Sequence, residues 1–364
     1  MMFDMDASGE ERKYRIVANE LRDNILAGRY APGEVFPSVK MLCRRLGISH
    51  LTAAKVIETL KGIGLVKTRN GVGTFVARRM KSIGLIVVSM IGNIDILPPI
   101  SREISRLAQT NGIGLDFADM STDFSEKDDV LVVEAARRMI ESGVSGVIFR
   151  PADFGEKAAF VNREVMNICA NAGVPLVLLD YDLSSAAGKP RYDFVGVDNR
   201  EVGVLVGQHL FDRGVRSVSF VGWSEMCCNV EHRLSGLLSE ISRKRGVRFA
   251  DTYMLQHDEA AMAKKWKTRL PDAIACSSDL VAAHVLKLLQ KIGKRCPGDV
   301  FVTGVNGVEL ATLVSPPLTT VQQPCEAIAR ATFETLLWRI ENPDATTRRV
   351  FLAADLVVRE STTR

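Results

Sequence analysis

The chain has 364 residues, 46% of them hydrophobic and 25% charged, a balance that excludes extended disorder and allows two or three folded domains. It contains no apolar run of about 18 residues, and its start, MMFDMDASGE, is acidic where a signal peptide is basic and then apolar, so we expect a cytoplasmic protein without a membrane segment. The net charge of +4 conceals an asymmetry, because residues 1–82 hold 15 Lys and Arg against 8 Asp and Glu.

The basic residues are densest between residues 38 and 81, where ten Lys and Arg accompany a single acid, Glu58. A basic module joined to a nearly neutral body indicates a polyanionic partner for the first part of the chain only. Charge alone fits a solvated basic surface equally well. The seven cysteines are odd in number and lack any C-x-x-C spacing, which favours reduced, buried thiols over disulfides or metal ligands. We expect no metal and no cofactor.

Three short helices are predicted in the first sixty residues. Apolar residues from Tyr14 to Ile25 share one helical face, and Gly28 follows where a helix would stop. Ser38 is placed to cap a second helix that Gly47 ends, and Ser49 is placed to cap a third. Two helices joined by such a short turn form a helix-turn-helix, which presents the start of its second helix to base edges in the major groove of DNA.

Several side chains of this predicted pair of helices face outward and are available to contact DNA. They are Lys40 and Arg44 on the second helix and His50, Leu51, Ala54 and Lys55 on the first turn of the third.

The stretch RNGVGTFV, residues 69–76, has two glycines in the manner of a phosphate-binding loop. A dinucleotide-binding loop needs a third glycine and a following helix, and this segment has neither. The pair Asn70 and Gly71 instead favours a tight hairpin turn between two short strands, predicted at residues 65–68 and 74–76. The segment is therefore predicted to be the wing of a winged helix-turn-helix.

The head also carries a family resemblance, spread over about residues 14–76. The matching residues are Gly28, Pro32, Gly33, Phe36, Pro37, Ser38, Leu42, Leu46, Gly47, Ile48, Ser49, Thr52, Leu60, Gly64, Gly71, Gly73, Thr74, Phe75 and Val76. Together they resemble the DNA-binding domain of the GntR family of bacterial repressors. The resemblance implies a winged helix-turn-helix whose third helix enters the major groove and whose wing glycines lie in or over the minor groove.

The resemblance and the outward-facing positions together give a set of predicted DNA contacts. They are Ser38, Lys40, Arg44, Ser49, His50, Leu51, Thr52, Lys55, Arg69, Asn70, Gly71, Gly73 and Thr74, and Arg78 and Arg79 offer further charge to the DNA backbone. Lys40 and His50 stand where the family has arginine, and Ala54 stands where it usually has another. Because these residues do not reproduce the bidentate fork of arginine, we expect an operator that differs from the family's common ones.

From Lys81 onward, short apolar runs alternate with helical spans. The predicted strands lie at residues 83–89, 114–118, 146–149, 175–180, 193–197, 217–222, 272–276 and 300–303. Such alternation implies an α/β body of parallel sheets with helices on both faces. Two such halves predict two lobes with a ligand cleft at the carboxyl ends of the strands. We place the domain boundary so that residues 1–79 form the DNA-binding domain and residues 80–364 the effector-binding and dimerisation domain.

The body supplies a second resemblance through five motifs. They are FVGVDNREVGVLVGQHLFDRG, the R-x-x-G of residues 233–236, PDAIACSSDLVAAHVL, PPLTTVQQP and LVVREST. These resemble the effector-binding core of the lactose-repressor (LacI/GalR) family, which is similar to periplasmic sugar-binding proteins of type I. A GntR head on a LacI-type body resembles the arabinose-repressor class. The resemblance implies a homodimeric repressor on a palindromic operator, controlled by a sugar-like effector that closes the two lobes.

Eight residues are predicted to bind this effector. The resemblance implies Arg233, Asp279, Gln323 and Asp180; strand ends add Arg150, and Tyr181 and Trp223 follow strands where an aromatic ring could stack on a sugar. Asn306 completes the set and, with Gly307, replaces two aspartates of the family, which favours a less cation-dependent or acidic sugar. A purely structural role stays open for each of them. Asp198, followed by Glu201, is instead predicted to cap a helix.

Two other classes of function compete with a regulator. An enzyme or binding domain for a non-sugar metabolite on the α/β body is disfavoured by only five histidines and by the absence of hydrolase, metalloprotease and P-loop motifs. A transport binding protein is disfavoured by the basic head and by the lack of a signal peptide. We therefore expect a non-enzymatic regulator.

Overall fold

The computed structural model describes residues 5–26, 29–31, 33–62, 64–69, 72–77, 82–88, 96–120, 128–153, 157–183, 191–224 and 226–363. The chain divides into two compact units, Met1–Met80 and Lys81–Arg364, here called the head and the body. The predicted helix stop at Gly28, the predicted turn at Asn70 and Gly71, and the basic residues Arg78 and Arg79 lie outside the described residues.

The head contains three helices and a three-stranded sheet. Its elements are α1 (Met5–Leu26), β1 (Val35–Phe36), α2 (Val39–Leu46), α3 (His50–Gly62), β2 (Val66–Arg69) and β3 (Gly73–Val76). The strands run antiparallel in the order β1-β3-β2. Apolar side chains from every element meet in one core, among them Leu21, Leu42, Leu60 and Val66, so the helices and the wing fold as a single unit.

The helix-turn-helix has the boundaries that its capping residues predict. The Ser38 hydroxyl accepts a hydrogen bond from the Met41 N–H at 3.3 Å and begins α2, and Gly47, with a φ of 62°, ends it in the left-handed region. The Ser49 hydroxyl accepts from the Thr52 N–H at 3.1 Å at the start of α3. Capping satisfies N–H groups that a helix end leaves open. The predicted caps and the wing strands are confirmed.

The body contains two sheets, which define two lobes. Lobe 1 has the strands β4 (Ser82–Val88), β5 (Gly114–Met120), β6 (Val147–Arg150), β7 (Leu176–Leu179), β8 (Asp193–Val197) and β14 (Arg349–Leu352), in the order β14-β8-β7-β6-β4-β5. Lobe 2 has the strands β9 (Ser217–Gly222), β10 (Arg248–Met254), β11 (Ala273–Cys276), β12 (Phe301–Asn306), β13 (Thr319–Gln322) and β15 (Asp355–Val357), in the order β10-β9-β11-β12-β13-β15. All strand pairs are parallel except β13 with β15.

Helices connect these parallel strands. In lobe 1 they are α4 (Leu97–Thr110), α5 (Asp128–Glu141), α6 (Ala158–Asn171) and α12 (Cys325–Glu341). In lobe 2 they are α7 (Asn199–Asp212), α8 (Cys228–Arg243), α9 (Leu255–Thr268), α10 (Asp279–Lys291) and the short α11 (Leu310–Leu313), with a 3-10 helix at Glu360–Thr362. The predicted two-lobed α/β body is therefore confirmed.

The two lobes are not two contiguous halves of the sequence. The chain leaves lobe 1 after β8, returns to it with α12 and β14, and re-enters lobe 2 with β15. The alternating pattern did not reveal β10, β13, β14 or β15. Strands β10, β14 and β15 lie at sheet edges, and because most of their side chains are exposed or half-buried, they lack the continuous apolar run of a central parallel strand. Strand β13 lies inside its sheet, but its sequence TTVQ is short and mostly polar.

All seven cysteines are free thiols. Cys169, Cys227 and Cys276 are buried, as predicted, whereas the other four are half-buried. Burial raises the pKa of Cys169 and of Cys227 to about 12, so these two thiols are poor nucleophiles.

Candidate functional site

The head exposes a set of polar and basic side chains on α2 and α3. Lys40, Arg44, His50 and Lys55 are exposed, and so is the apolar Leu51, with 72% of its surface accessible. An apolar side chain this exposed contributes little to the core, so Leu51 is available for an external contact. These positions match the outward face predicted from the sequence.

Two predicted DNA contacts lie inside the head rather than on its surface. Thr52 is buried, with its hydroxyl 2.8 Å from that of Ser49, and Thr74 is buried with its hydroxyl 3.3 Å from that of Thr68. The Thr52 hydroxyl thus contacts the residue that caps α3, and the Thr74 hydroxyl contacts the neighbouring strand of the wing. Their predicted contacts with DNA stay predictions.

The wing continues with residues 72–76 on the far side of its predicted turn. Gly73 has a φ of 139°, a value that residues with a side chain rarely adopt. The Arg69 guanidinium lies 5.3 Å from the centre of the Phe75 ring. The wing thus presents a glycine and a positive charge at its tip. Asn70 and Gly71, predicted to form the turn, lie outside the described residues.

The body has a cleft where the carboxyl ends of strands from both lobes meet. An inner cavity of about 60 Å³ is lined by Ile96, Arg150, Asp153, Asp180, Trp223, Cys227, Asn229, Val230, Arg233, Ser277, Ser278, Asn306 and Gln323. An outer cavity of about 1000 Å³ shares Asn306 and Gln323 with it and extends along the starts of α4 and α12. The structure thus brings together six of the eight predicted effector residues; Tyr181 and Asp279 do not line either cavity.

Backbone strain is concentrated in this cleft. In the described chain, Asp180 and Asn306 are the non-glycine residues with positive φ, at 62° and 115°, and both line the inner cavity. Such conformations cost about 1–3 kcal/mol each and persist where surrounding contacts fix them, most often at functional sites. The two strained residues belong to opposite lobes, so both walls of the cleft are held in shape.

Lobe 1 contributes a buried charge cluster. The Arg150 guanidinium donates two hydrogen bonds to the Asp153 carboxylate, at 3.0 and 2.7 Å, and lies 3.6 Å from Asp180 Oδ2. Asp180 is 4% exposed, and its Oδ1 has no hydrogen-bond partner among the described residues. Burial raises the pKa of the Asp180 carboxyl, and the charges of Arg150 and Arg233 oppose that rise. Oδ1 is therefore a buried acceptor that a ligand hydroxyl in the cavity would satisfy.

Lobe 2 contributes Arg233, which α7 and α8 hold in place. Its Nε donates to Asn199 Oδ1 at 2.7 Å and its Nη1 to the Ser277 carbonyl at 2.6 Å. The R-x-x-G motif has a steric origin, because a methyl group on Gly236 would overlap the Arg200 carbonyl of α7. The glycine lets the two helices approach closely, and this approach brings the buried Arg233 to the cavity. Asp198 caps α7 through the N–H groups of residues 200 and 201, as predicted.

Gln323 follows β13 and lines both cavities. Its Nε2 donates to Asn306 Oδ1 at 3.0 Å, and its backbone N–H donates to the Asn306 carbonyl at 3.1 Å. The side chain is 2% exposed, and Oε1 has no hydrogen-bond partner among the described residues. A buried acceptor without a partner costs about 1–3 kcal/mol, which a ligand donor would recover.

The two predicted aromatic residues differ in position. Trp223 lines the inner cavity and packs edge to face on His284, with ring centres 5.2 Å apart. Tyr181 is half-buried beside the cleft, and burial raises the pKa of its hydroxyl to about 12. Only Trp223 therefore offers part of a ring to a molecule in the cavity.

Asp279 lies behind the wall of the cavity. It is 1% exposed, its Oδ1 accepts from the Thr320 hydroxyl at 2.5 Å, and its Oδ2 accepts from the Val308 N–H at 3.0 Å. Burial raises the pKa of this carboxyl to about 6, opposed by these hydrogen bonds. Asp279 thus supports the loop after Asn306, and its predicted effector contact stays a prediction.

Sequence reasoning missed four polar residues of the inner cavity, Asp153, Asn229, Ser277 and Ser278. The Asn229 amide on α8 of lobe 2 donates to the Asp180 carbonyl of lobe 1 at 3.1 Å, a direct hydrogen bond between the lobes. The sequence signal that could have identified Asn229 is its place in the first turn of a helix, beside the R-x-x-G motif. Asp153 contacts Arg150, three residues away, whereas Ser277 contacts Arg233, which is 44 residues away.

Within the described ranges, no cluster of three or more His, Cys, Asp or Glu is arranged to hold a metal ion. No described helix is both long and apolar enough to cross a membrane. The polar groups of the cleft are thus hydrogen-bonding and charged side chains suited to a small polar ligand.

The fold and the cleft define a two-lobed ligand-binding body of the periplasmic-binding-protein-like kind. Residues 208–362 match the family model described as periplasmic binding protein-like domain. Residues 13–76 match the model described as bacterial regulatory proteins, gntR family.

Named relatives agree with this division. The HTH-type transcriptional repressor PurR of Vibrio vulnificus is 29% identical over 62% of this chain and 66% of its own length, a little under two thirds. PurR of Vibrio atlanticus is 30% identical over 63% of this chain and 67% of its own. A LacI family transcriptional regulator from Enterococcus faecalis, solved with bound ribose, is 23% identical and superposes with a TM-score of 0.63, covering 77% of this chain and 98% of that one. The chain therefore belongs to the bacterial transcriptional regulators that join a gntR-family head to a LacI-type body.

Proposed function

We propose that this protein is a repressor that binds a palindromic DNA operator as a homodimer, and that a sugar or sugar derivative bound between its lobes controls its affinity for the operator. The observation that carries the effector proposal is a pair of buried acceptors, Asp180 Oδ1 and Gln323 Oε1, on opposite walls of one cavity; neither has a hydrogen-bond partner in the described part of the chain. The repressor names of the relatives support the regulatory part. Acting on DNA, it would work in the cytoplasm and would not be an enzyme.

The chemistry of the cavity favours a ligand rich in hydroxyl groups. Asp180 and Gln323 supply acceptors, Arg233 and Asn306 supply polar groups next to them, and Trp223 supplies an apolar ring at the wall. Sugars combine hydroxyl donors with a C–H face that stacks on aromatic rings. The relative solved with ribose supports this class of ligand.

The outer cavity has charged side chains of both signs. Arg102 and Arg330 line it together with Glu309 and Glu326, and Asn306 and Gly307 stand where the family has two aspartates. An acid group at the outer end would gain charge-assisted hydrogen bonds from a guanidinium, and the two glutamates would oppose it. Sugar acids and sugar phosphates are therefore compared directly with the parent sugars.

The size of the inner cavity links binding to a change in conformation. About 60 Å³ holds only a few water molecules, so a sugar must separate the lobes or extend into the outer cavity. Opening breaks the hydrogen bond between Asn229 and the Asp180 carbonyl, and closure on the ligand restores it. In a homodimer, such a movement of the lobes would alter the spacing of the two heads on the half-sites of an operator.

Two measurements on the full chain test this function. A thermal-shift screen of pentoses, hexoses, sugar acids and sugar phosphates is expected to raise the melting temperature with one chemical class, because a ligand that binds only the folded state stabilises it. Selection from a random duplex library is expected to return a palindrome, whose affinity falls steeply with salt. No thermal shift with any sugar would contradict the effector class, and selection without sequence preference would contradict the operator.

The effector site is tested by Gln323→Leu, with Gln290→Leu as control. Gln290 is an exposed glutamine on α10 and lines neither cavity. Because Gln323→Leu removes the open acceptor, we expect the affinity for the identified sugar to fall about tenfold, the equivalent of about 1.4 kcal/mol. The control is expected to bind normally. Equal binding by both variants would place the sugar elsewhere.

A further inference from the structure

Lobe 2 has a strongly basic edge at the amino-terminal ends of its parallel strands, opposite the cleft. Four consecutive connections reach this edge, each running from the last turn of a helix to the next strand: residues 209–217, 240–248, 265–273 and 288–301. We call the basic residues of these four segments the basic edge. They are Arg213, Arg216, Arg243, Lys244, Arg245, Arg248, Lys265, Lys267, Arg269, Lys291, Lys294 and Arg295.

The four connections lie side by side because their strands are neighbours in the sheet, in the order β10-β9-β11-β12. The Arg248 N–H donates to the Arg216 carbonyl at 2.8 Å, and Asp272 Oδ2 accepts from the N–H groups of Arg216 and Ser217, both at 2.9 Å. The Phe301 N–H in turn donates to the Asp272 carbonyl. The basic residues therefore form one continuous band along the edge rather than separate patches.

The band has a large excess of positive charge. Its four segments contain 12 Lys and Arg against four Asp and Glu, whereas the rest of residues 83–364 contains 20 against 31. Four of the 12 pair with a carboxylate: Arg243 with Glu240, Lys265 with Asp251, Lys291 with Glu259 and Arg295 with Asp299. Seven others are exposed and make no side-chain ion pair or hydrogen bond within the described residues, namely Arg213, Arg216, Lys244, Arg245, Arg248, Lys267 and Arg269.

Stabilisation of helix carboxyl ends does not explain this concentration. Basic residues are favourable at such ends, yet the four equivalent connections of lobe 1, residues 107–114, 138–147, 168–176 and 338–349, contain only four basic residues against three acidic ones. Three of those four already have partners, since Arg339 pairs with Asp193, Arg349 with Asp182, and Arg348 lies over the Trp338 ring. Lobe 1 therefore has the same kind of helix-to-strand connections as lobe 2 without a basic edge.

We propose that the basic edge of lobe 2 binds the phosphate backbone of duplex DNA, independently of the operator contacts of the head. Four neighbouring strands span about 14 Å between the outermost axes, and a duplex presents one phosphate charge per about 1.7 Å of its axis. A duplex of that length carries roughly eight phosphates on its two strands, of which one side faces the edge, so the seven basic side chains that are unpaired within the described residues are enough to contact them.

A polyelectrolyte suits this surface better than an acidic protein does. Protein interfaces carry apolar or aromatic anchors at their centre, and none of the exposed large hydrophobic side chains in the described chain falls within the four segments. A band of flexible, unpaired cations without apolar anchors binds through release of counterions, without sequence preference. The edge would then hold a second stretch of DNA in addition to the operator.

The test uses the full chain and a fluorescent 40-base-pair random duplex, titrated at several salt concentrations. The parent variant carries Lys40→Glu and Arg44→Glu, which weaken the proposed head contacts. Added to it is either the edge triple Arg245→Glu, Arg248→Glu and Arg269→Glu, or a control triple on lobe 1, Arg137→Glu, Arg138→Glu and Arg191→Glu. All six of these arginines are exposed, so the two triples change net charge equally and differ only in location.

The edge triple is expected to weaken duplex binding at least tenfold and to lower the slope of log affinity against log salt by about 3, corresponding to three lost phosphate contacts. The control triple is expected to change affinity less than threefold. Equal effects of the two triples would overturn the proposal, and so would tighter binding of single-stranded RNA of the same length. A change of oligomeric state in the edge triple, measured by sedimentation velocity, would assign the edge to a second copy of the chain instead.

Two controls keep the result interpretable. Unchanged melting temperature and unchanged sugar binding in the edge triple establish that the body is folded. If Lys40→Glu and Arg44→Glu leave duplex affinity unaltered, the proposed role of the head fails, while the comparison of the two triples still decides the role of the edge.

Discussion

The close approach of α7 and α8 gives a sharp test of how the cleft is built. Gly236→Ala places a methyl group where the Arg200 carbonyl oxygen of α7 already lies. Because backbone cannot rotate away as a side chain does, the two helices must separate by roughly 1 Å, which forfeits dispersion contacts along their length. Arg233 lies on the same turn of α8 and would move with it.

The expected loss of unfolding free energy in Gly236→Ala is the cost of overpacking and of weakened hydrogen bonds, less the gain in helix propensity. Alanine in a helix gains about 1 kcal/mol over glycine, whereas overpacking costs about 1–3 kcal/mol and more when backbone must shift. The hydrogen bonds from Arg233 to Asn199 and to the Ser277 carbonyl are worth about 1.5–3 kcal/mol each, because the donor is charged. If about half of that is lost, Gly236→Ala lowers the free energy of unfolding by about 3 kcal/mol, and sugar binding is lost with it.

Gly207→Ala is the matched control in the same helix pair. A methyl group there meets side-chain atoms of Glu240, at 2.9 and 3.3 Å, and of Leu237 at 3.4 Å. The Glu240 Cβ moves only with the backbone of α8, yet its overlap with the added methyl group is much smaller than the overlap with the Arg200 carbonyl oxygen at Gly236. The gain in helix propensity therefore offsets most of the cost, and the net change stays within about 1 kcal/mol. Urea unfolding of both variants measures the difference. Equal losses, or a Gly236→Ala variant that binds the sugar normally, would refute this account of the R-x-x-G motif.

Three further predictions concern buried polar groups. Arg339→Met leaves the Asp193 carboxylate buried without its bidentate partner, so we expect the free energy of unfolding to fall by about 3–5 kcal/mol in urea titrations. Arg348→Met, at an exposed arginine, is the control. A similarly small loss in both variants would contradict the role of the ion pair between Arg339 and Asp193. Folding raises the pKa of the Asp279 carboxyl from 3.8 to about 6, so its contribution to stability is full below pH 3.8 and falls by about 3 kcal/mol as pH rises through 6. Asp279→Asn is therefore expected to flatten the dependence of the free energy of unfolding on pH between pH 4 and 6. An unchanged slope of that dependence would contradict the prediction. Asn229→Ala removes the hydrogen bond between the lobes, worth about 1 kcal/mol, so calorimetry is expected to show about fivefold weaker sugar binding, and unaltered affinity would show that the bond does not report closure.

The head could be predicted almost completely because its signals are local. Ser38, Gly47 and Ser49 act on N–H groups and backbone angles within three residues, so the order of residues alone defines the helix ends. Most central strands of the body were equally predictable from their apolar runs, whereas the polar inner strand β13 was not. The edge strand β10 was not, because half-exposed residues such as those from Arg248 onward carry neither a continuous nor an alternating pattern.

The cleft was only partly predictable, because its residues act across long separations in sequence. The ends of the predicted strands pointed to Arg150, Asp180 and Trp223, and these residues line the inner cavity because parallel strands bring their carboxyl ends to one side. The pattern also placed Asp279 in the first turn of α10, yet it could not show that Thr320 and Val308, 41 and 29 residues away, occupy its two oxygens. Partners of this kind become visible only once the chain is folded.

The return of the chain to lobe 1 has a consequence for synthesis on the ribosome. Strand β8 ends at Val197 and its neighbour β14 begins at Arg349, so about 150 residues emerge before the apolar β8 gains its last partner. At 5–20 residues per second, that edge stays open for roughly 8–30 seconds. A nascent chain in that interval offers an unpaired apolar edge to its neighbours on the same messenger. Substitutions that slow the pairing of β8 with β14 would therefore lower the yield of folded protein before they lowered its stability.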